Sequence, residues 1–70
     1  MENNIRADIG RQLELYRKEN RLSLRQLAEL TGLKYSNICR IEQGRYNTGI
    51  DVIGKIADAL DCDVLITKRR

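Results

Sequence analysis

The side chains best suited to contact another molecule lie between Tyr35 and Gln43. When this segment is projected on a helix, Ile38 and Ile41 fall on one side. The opposite side carries Ser36, Arg40 and Gln43, and the flanks carry Tyr35, Asn37 and Cys39. A polar row opposite an apolar one predicts a helix that packs on a core and presents hydrogen-bonding groups outward.

Arg40 has the most specific chemistry in this row, because its guanidinium fork fits O6 and N7 of guanine, a contact worth ~1–3 kcal/mol of discrimination. The alternatives are a phosphate contact or a solvated surface arginine, since many protein–DNA hydrogen bonds go to the backbone. Tyr35 could pack on a thymine methyl or bond to a phosphate. Asn37 could read adenine, although it lies further round the helix.

The element that positions this row is a pair of short helices joined by a tight turn. Ser23 and Gln26 form a capping-box pattern at the start of the first one, and an apolar stripe follows. Gly32 comes directly after it, where a left-handed backbone conformation costs glycine little. Ala28, Gly32 and Ile38 have the spacing of a helix-turn-helix motif.

Residues 23–44 resemble the DNA-binding domains of the phage-repressor family, of the Cro/CI or Xre type. Gly10–Ser23 resembles the first helix of that family, and Arg40–Cys62 resembles the stretch after its recognition helix. The resemblance implies an all-α, lambda-repressor-like domain of four to five helices, with Tyr35 in the recognition helix that enters the major groove of double-stranded DNA.

The resemblance also suggests which residues contact DNA. The expected base contacts are Tyr35, Ser36, Asn37 and Arg40, and the expected phosphate contacts are Ser23, Lys34, Gln43, Arg45 and Asn47. The chain departs from the family at Lys34, where a Ser or Thr cap is usual, and at Leu24, where a polar residue often contacts phosphate. Family members also pair an arginine of the first helix with the glutamate of the Ile-Glu-x-Gly run. This implies a semi-exposed Arg17–Glu42 ion pair that ties the first helix to the third, although the residues alone also permit an ordinary pair of surface charges.

Hydrophobic periodicity and capping signals predict four helices. Their expected bounds are about 4–19, 24–30, 35–43 and 50–60, and the buried stripe of the first is Ile5, Ile9, Leu13 and Tyr16. Asn20 is expected to end the first helix in the left-handed conformation, because asparagine tolerates it.

The C-terminal segment, residues 62–70, has a different character. Its β-branched residues and alternating pattern predict a short β-strand after a helical domain of residues 1–61. This chain offers no second strand, so the segment is either an extended tail packed on the helices or a strand that pairs with its copy in a homodimer. We favour the dimer, with Val64, Leu65 and Ile66 as the dimerisation residues.

Composition narrows the class of protein. The chain has 70 residues, a net charge of +3 and no histidine, and basic residues predominate over residues 17–45. Two cysteines, Cys39 and Cys62, are too few for a structural zinc site and are expected to be reduced thiols. We expect no metal, no cofactor and no small-molecule ligand, and no catalytic constellation predicts an enzyme. No membrane helix or signal peptide is evident, which predicts a cytoplasmic protein associated with the nucleoid through DNA.

The helix-turn-helix resemblance, together with the basic residues of segment 17–45, predicts a sequence-specific transcriptional regulator. In particular it predicts a repressor that binds a palindromic operator as a homodimer. The alternative, by resemblance to HipB-like proteins, is an antitoxin that also binds and neutralises a toxin protein.

Overall fold

The computed structural model describes residues 4–66, which form four α-helices. They are α1 (Ile5–Glu19), α2 (Leu24–Thr31), α3 (Tyr35–Glu42) and α4 (Ile50–Ala59). The predicted all-α fold is confirmed, and each predicted helix end lies within one residue of the observed end.

The core lies between the four helices. Its buried members are Leu13, Leu27, Ile38, Ile41, Ile56 and Leu60. Leu27, Ile38 and Ile56 are completely buried, and they come from α2, α3 and α4. Helix α3 packs against both α1 and α2, so the helix predicted to contact DNA is anchored by its apolar side.

The buried face of α1 differs from the predicted stripe. Leu13 is buried and Ile9 is half-buried, but Ile5 and Tyr16 are 54% and 40% exposed, so the prediction was wrong for these two residues. Gly10 and Arg17 are buried instead. The face of α1 that meets α3 contains Gly10, Leu13 and Arg17. The spacing of hydrophobic residues did not predict this face, because two of its three members are glycine and arginine.

Helix α1 ends with two backbone hydrogen bonds, from the Arg21 N–H to the Lys18 carbonyl and from the Leu22 N–H to the Arg17 carbonyl. The left-handed residue is Arg21, with φ of 58°, and the prediction that Asn20 takes this role was wrong because its φ is −82°. The Asn20 side-chain amide instead donates to the carbonyls of Tyr16 and Leu60, which ties the end of α1 to the end of α4.

Residues 62–66 do not form a strand within the described chain, where the predicted C-terminal strand is absent. The physical reason is that a lone extended segment has no neighbour with which to form a hydrogen-bonded ladder. Val64, Leu65 and Ile66 are exposed. The rest of the predicted segment, residues 67–70, lies outside the described residues, and pairing between two copies stays a prediction.

Candidate nucleic-acid interface

The start of α2 has the capping box that the sequence predicted. The Ser23 hydroxyl accepts a hydrogen bond from the Gln26 N–H at 3.0 Å, and the Gln26 side-chain carbonyl accepts one from the Ser23 N–H at 2.8 Å. The first amides of the helix, at Leu24 and Arg25, have no acceptor within the helix and lie at its positive end.

The turn between α2 and α3 is held by hydrogen bonds at the end of α2. Gly32 has φ of 74°, and its N–H donates to the Ala28 carbonyl at 2.8 Å. The buried Thr31 hydroxyl donates to the Leu27 carbonyl and accepts from the Leu33 N–H. These bonds fix the direction in which the chain leaves α2, and therefore the orientation of α3 relative to it.

Helix α3 presents its polar row away from the core. Ile38 and Ile41 are buried, whereas Ser36 and Arg40 are exposed. Tyr35 is 44% exposed at the first position of the helix, and Asn37 is half-buried on its flank. The four side chains expected to contact bases therefore lie on the exposed side or the flank of one eight-residue helix.

The residues expected to contact phosphate lie at the start of α2 and, along the chain, just before and after α3. Ser23, Lys34, Gln43, Arg45 and Asn47 are all exposed. At the end of α3 the Gln43 side-chain carbonyl accepts a hydrogen bond from Arg45 at 3.3 Å, and the Gln43 amide donates to the Cys39 sulfur at 3.6 Å. Lys34 precedes α3 without a side-chain capping bond, consistent with the missing Ser or Thr cap.

Arg17 and Glu42 connect α1 to the last turn of α3. The Arg17 Nε donates to Glu42 Oε2 at 2.7 Å, and its Nη2 donates to Oε1 at 3.0 Å. The side chains are only 10% and 5% exposed, so the expectation of a semi-exposed pair was wrong. The hydrogen bond to Glu42 raises the pKa of Arg17 above its ordinary value, while burial acts in the opposite direction.

Gly10 sits at the crossing of α1 and α3. A Cβ atom at this position would lie 2.7 Å from the carbonyl oxygen of Glu42 and would also clash with the carbonyl of Ile41. The absence of a side chain allows the two backbones to approach closely. Sequence reasoning missed this residue, although a glycine inside a helix costs ~1 kcal/mol relative to alanine and thereby signals a packing role.

Arg25 is a second residue that sequence reasoning did not single out. Its guanidinium carbon lies 4.9 Å from the centre of the Tyr35 ring, in a cation–π arrangement that joins the beginning of α2 to the beginning of α3. No short-range pattern links these two positions, because they come together only through the turn between the helices.

Comparison with known proteins identifies the architecture. Residues 8–65 match the family described as "Helix-turn-helix domain". The chain belongs to the Xre-like helix-turn-helix family. The resemblance noted in the sequence is confirmed, and the two helices of the family's motif are α2 and α3.

Two curated relatives of this helix-turn-helix protein are transcriptional regulators by name. It is 36% identical to the immunity repressor protein of Bacillus phage phi105 over 56 residues, which are 80% of this chain and 39% of the repressor. It is 31% identical to the uncharacterized HTH-type transcriptional regulator y4dL of Sinorhizobium fredii, over 89% of this chain and 32% of y4dL. The matched part of the chain thus spans 39% of the length of the first relative and 32% of the length of the second.

Solved structures show the same arrangement of helices. The restriction-modification controller protein C.AhdI from Aeromonas hydrophila superposes with a TM-score of 0.81 and 33% identity, over 87% of this chain and 92% of the controller. The clp gene regulator ClgR from Corynebacterium glutamicum superposes with a TM-score of 0.78 over 81% of this chain and 61% of ClgR. At 24% identity, ClgR supports the fold alone.

The described part of this helix-turn-helix protein contains no group of histidine, cysteine or acidic side chains arranged to hold a metal ion. None of its four described helices has the length and apolar character of a membrane span. The thiols of Cys39 and Cys62 are free and half-buried.

Proposed function

We propose that this protein binds duplex DNA sequence-specifically, with α3 in the major groove, and regulates transcription as a repressor. The observation that carries the proposal is the exposed row of Ser36 and Arg40 on α3, continued by Gln43 at its C-cap, whereas the opposite side of the helix is buried. An α-helix fits the major groove, and there Arg40 reaches the O6 and N7 atoms of a guanine. The phi105 immunity repressor, 36% identical, supports repression as the mode of regulation.

Phosphate contacts on both sides of α3 would hold it in the groove. Ser23 and the free amides of α2 form one contact region, where the helix dipole favours an anion. Lys34, Gln43, Arg45 and Asn47 form the other. These groups fix the register of the protein on DNA without reading sequence, while Tyr35, Ser36, Asn37 and Arg40 read bases.

The protein acts as a homodimer on a palindromic operator in this proposal. Val64, Leu65 and Ile66 are 50%, 77% and 99% exposed, and a second copy would remove this apolar surface from water. Twofold symmetry would then present two α3 helices about 34 Å apart, one turn of DNA.

The proposal is tested by selecting bound duplexes from a random pool with the full-length protein. We expect a palindromic consensus, and affinity for it at least ~10³-fold above that for a scrambled duplex at physiological salt. Affinity for both duplexes should fall as salt rises, because phosphate contacts release counterions. Equal affinity for the consensus and the scrambled duplex would show that the protein does not read sequence.

A further inference from the structure

The stack between Arg25 and Tyr35 lies at the edge of the proposed DNA-contacting surface. Arg25 is the second residue of α2 and Tyr35 the first of α3, and the guanidinium covers one face of the ring at 4.9 Å. Tyr35 keeps 44% of its surface exposed in this arrangement. The ring is therefore held on one side and available on another.

The guanidinium lies on the ring although Glu29, one helical turn further along α2, offers a carboxylate. Among residues 4–66, no acidic oxygen lies within 4.0 Å of Arg25. In a helix, an ion pair four residues apart is weaker when the basic residue precedes the acidic one, as Arg25 precedes Glu29, than in the reverse order. The ring is thus the partner that the structure gives Arg25, and stacking leaves the edge N–H donors of the guanidinium free.

The start of α3 has no side-chain cap, and Tyr35 is its first residue. Lys34 occupies the capping position and makes no side-chain capping bond, so the first turn of α3 lacks the usual polar anchor. The stacked arginine from the neighbouring helix is a contact that limits the freedom of the exposed Tyr35 ring before any ligand arrives.

We propose that Arg25 is a positioning residue for base recognition, which acts by holding the Tyr35 ring in the orientation that contacts a base. The proposal rests on the proposed DNA-binding function and adds one determinant of specificity to it. The base contact belongs to Tyr35, whereas Arg25 sets how much conformational freedom the ring must lose on binding.

Arg25→Lys separates positioning from charge, since lysine keeps the positive charge but lacks the flat guanidinium that stacks on a ring. Sites are selected from a random duplex pool with the wild type, Arg25→Lys, Tyr35→Leu and the double variant. We expect Arg25→Lys and Tyr35→Leu to relax preference at the same base positions, by about 3- to 10-fold. The double variant should lose no more than Tyr35→Leu, and the salt dependence of Arg25→Lys should equal that of the wild type.

Arg11→Lys is the matched control, because Arg11 lies on α1, pairs with Asp8 and is outside the proposed interface. Ring-current shifts of the Arg25 side-chain protons test the stack in DNA-free protein, and they should disappear in Tyr35→Leu and persist in Tyr35→Phe. Their absence from the wild type would refute the stack independently of any DNA.

Two results would overturn the positioning role while leaving DNA binding intact. In the first, Arg25→Lys selects the wild-type consensus and Arg25→Ala weakens binding to all duplexes equally, which would make Arg25 a phosphate contact. In the second, Arg25→Lys relaxes preference at positions that Tyr35→Leu leaves unchanged, which would make Arg25 a base reader itself. A wild type that selects no sequence would reject the proposed function together with this inference.

Discussion

The Arg17 guanidinium holds the Glu42 carboxylate by two hydrogen bonds, of 2.7 and 3.0 Å, and so joins α1 to the last turn of α3. A third bond runs from Arg17 Nη1 to the Leu22 carbonyl at 2.8 Å, in the link between α1 and α2. One buried side chain thereby connects α1 to the last turn of α3 and to the link that leads into α2.

Removing one member of this pair should be costly, because the other is left as an uncompensated buried charge. We expect Glu42→Ala to lower the free energy of unfolding by about 3–5 kcal/mol. The double variant with Arg17→Met and Glu42→Leu should lose less stability than the sum of the losses caused by Arg17→Met alone and Glu42→Leu alone. Urea denaturation measures both. The exposed Arg11–Asp8 pair provides the control, since Asp8→Ala should change stability very little.

The pH dependence of this pair follows from the raised pKa of Arg17. A basic group whose pKa is higher in the folded protein stabilises it below its unfolded pKa, and the effect is lost only as the pH rises through the folded value. The Arg17 contribution should therefore persist through the neutral and mildly alkaline range. A loss of the Arg17→Met effect at mildly alkaline pH would contradict this assignment.

Two glycines within helices should respond oppositely to alanine. Gly10→Ala places a methyl group 2.7 Å from the Glu42 carbonyl oxygen, and we expect it to destabilise the protein by ~1–3 kcal/mol through overpacking. Gly54→Ala in α4 meets nothing within 4 Å and should stabilise by ~0.5–1 kcal/mol, because alanine favours the helix. Thermal unfolding measures the stability of both variants against the wild type. If Gly10→Ala and Gly54→Ala were equally stable, this result would argue against the close crossing of α1 and α3.

The end of α1 provides a second matched pair. Arg21→Gly should stabilise the protein by about 1 kcal/mol, since it relieves the left-handed conformation of a residue with a side chain. Asn20→Gly should destabilise it, because Asn20 has a negative φ and loses its hydrogen bonds to Tyr16 and Leu60. The denaturation midpoint should therefore be higher for Arg21→Gly than for Asn20→Gly. The reverse order of midpoints would place the left-handed residue at Asn20.

Arg40 and Arg45 should make different contributions to DNA affinity. We expect Arg40→Ala to cost ~1–3 kcal/mol on the selected duplex and to relax preference at one base position. Arg45→Ala should instead weaken binding to all duplexes about equally and reduce the salt slope by about one. Fluorescence anisotropy titrations at several salt concentrations measure both the affinity for each duplex and its salt dependence. An equal loss on selected and scrambled duplexes for Arg40→Ala would assign it a backbone contact.

The proposed dimer depends on the exposed apolar residues after α4. Leu65→Asp and Ile66→Asp should shift the protein to monomers and weaken binding to a palindromic duplex more than to an isolated half-site, because charges would have to be buried in the interface. Leu15→Asp is the control, as Leu15 is similarly apolar and 54% exposed but lies on α1. Sedimentation equilibrium without DNA measures the mass, and a monomeric wild type at micromolar concentration would rule out this dimer.

Local signals in the sequence were sufficient to predict the helices and the surface of α3. The capping box at Ser23 and the glycine at Gly32 are short-range features whose geometry depends on neighbouring residues alone, and both occur as predicted. The alternation of apolar and polar residues along α3 likewise determines which side is buried once the helix forms.

Tertiary contacts decided the features that the sequence predicted wrongly or missed. Asn20 and Arg21 are both compatible with the end of a helix, and Asn20 keeps a negative φ where its amide reaches the Leu60 carbonyl, forty residues away. Ile5 and Tyr16 fit an apolar stripe, but α3 crosses α1 at Gly10 and Arg17 instead. Within residues 4–66 there is no strand with which residues 62–66 could pair. The start of α2, the turn at Gly32 and the exposed face of α3 follow from interactions within a few residues, whereas the burial of Arg17 and the stacking of Arg25 on Tyr35 depend on which helices meet.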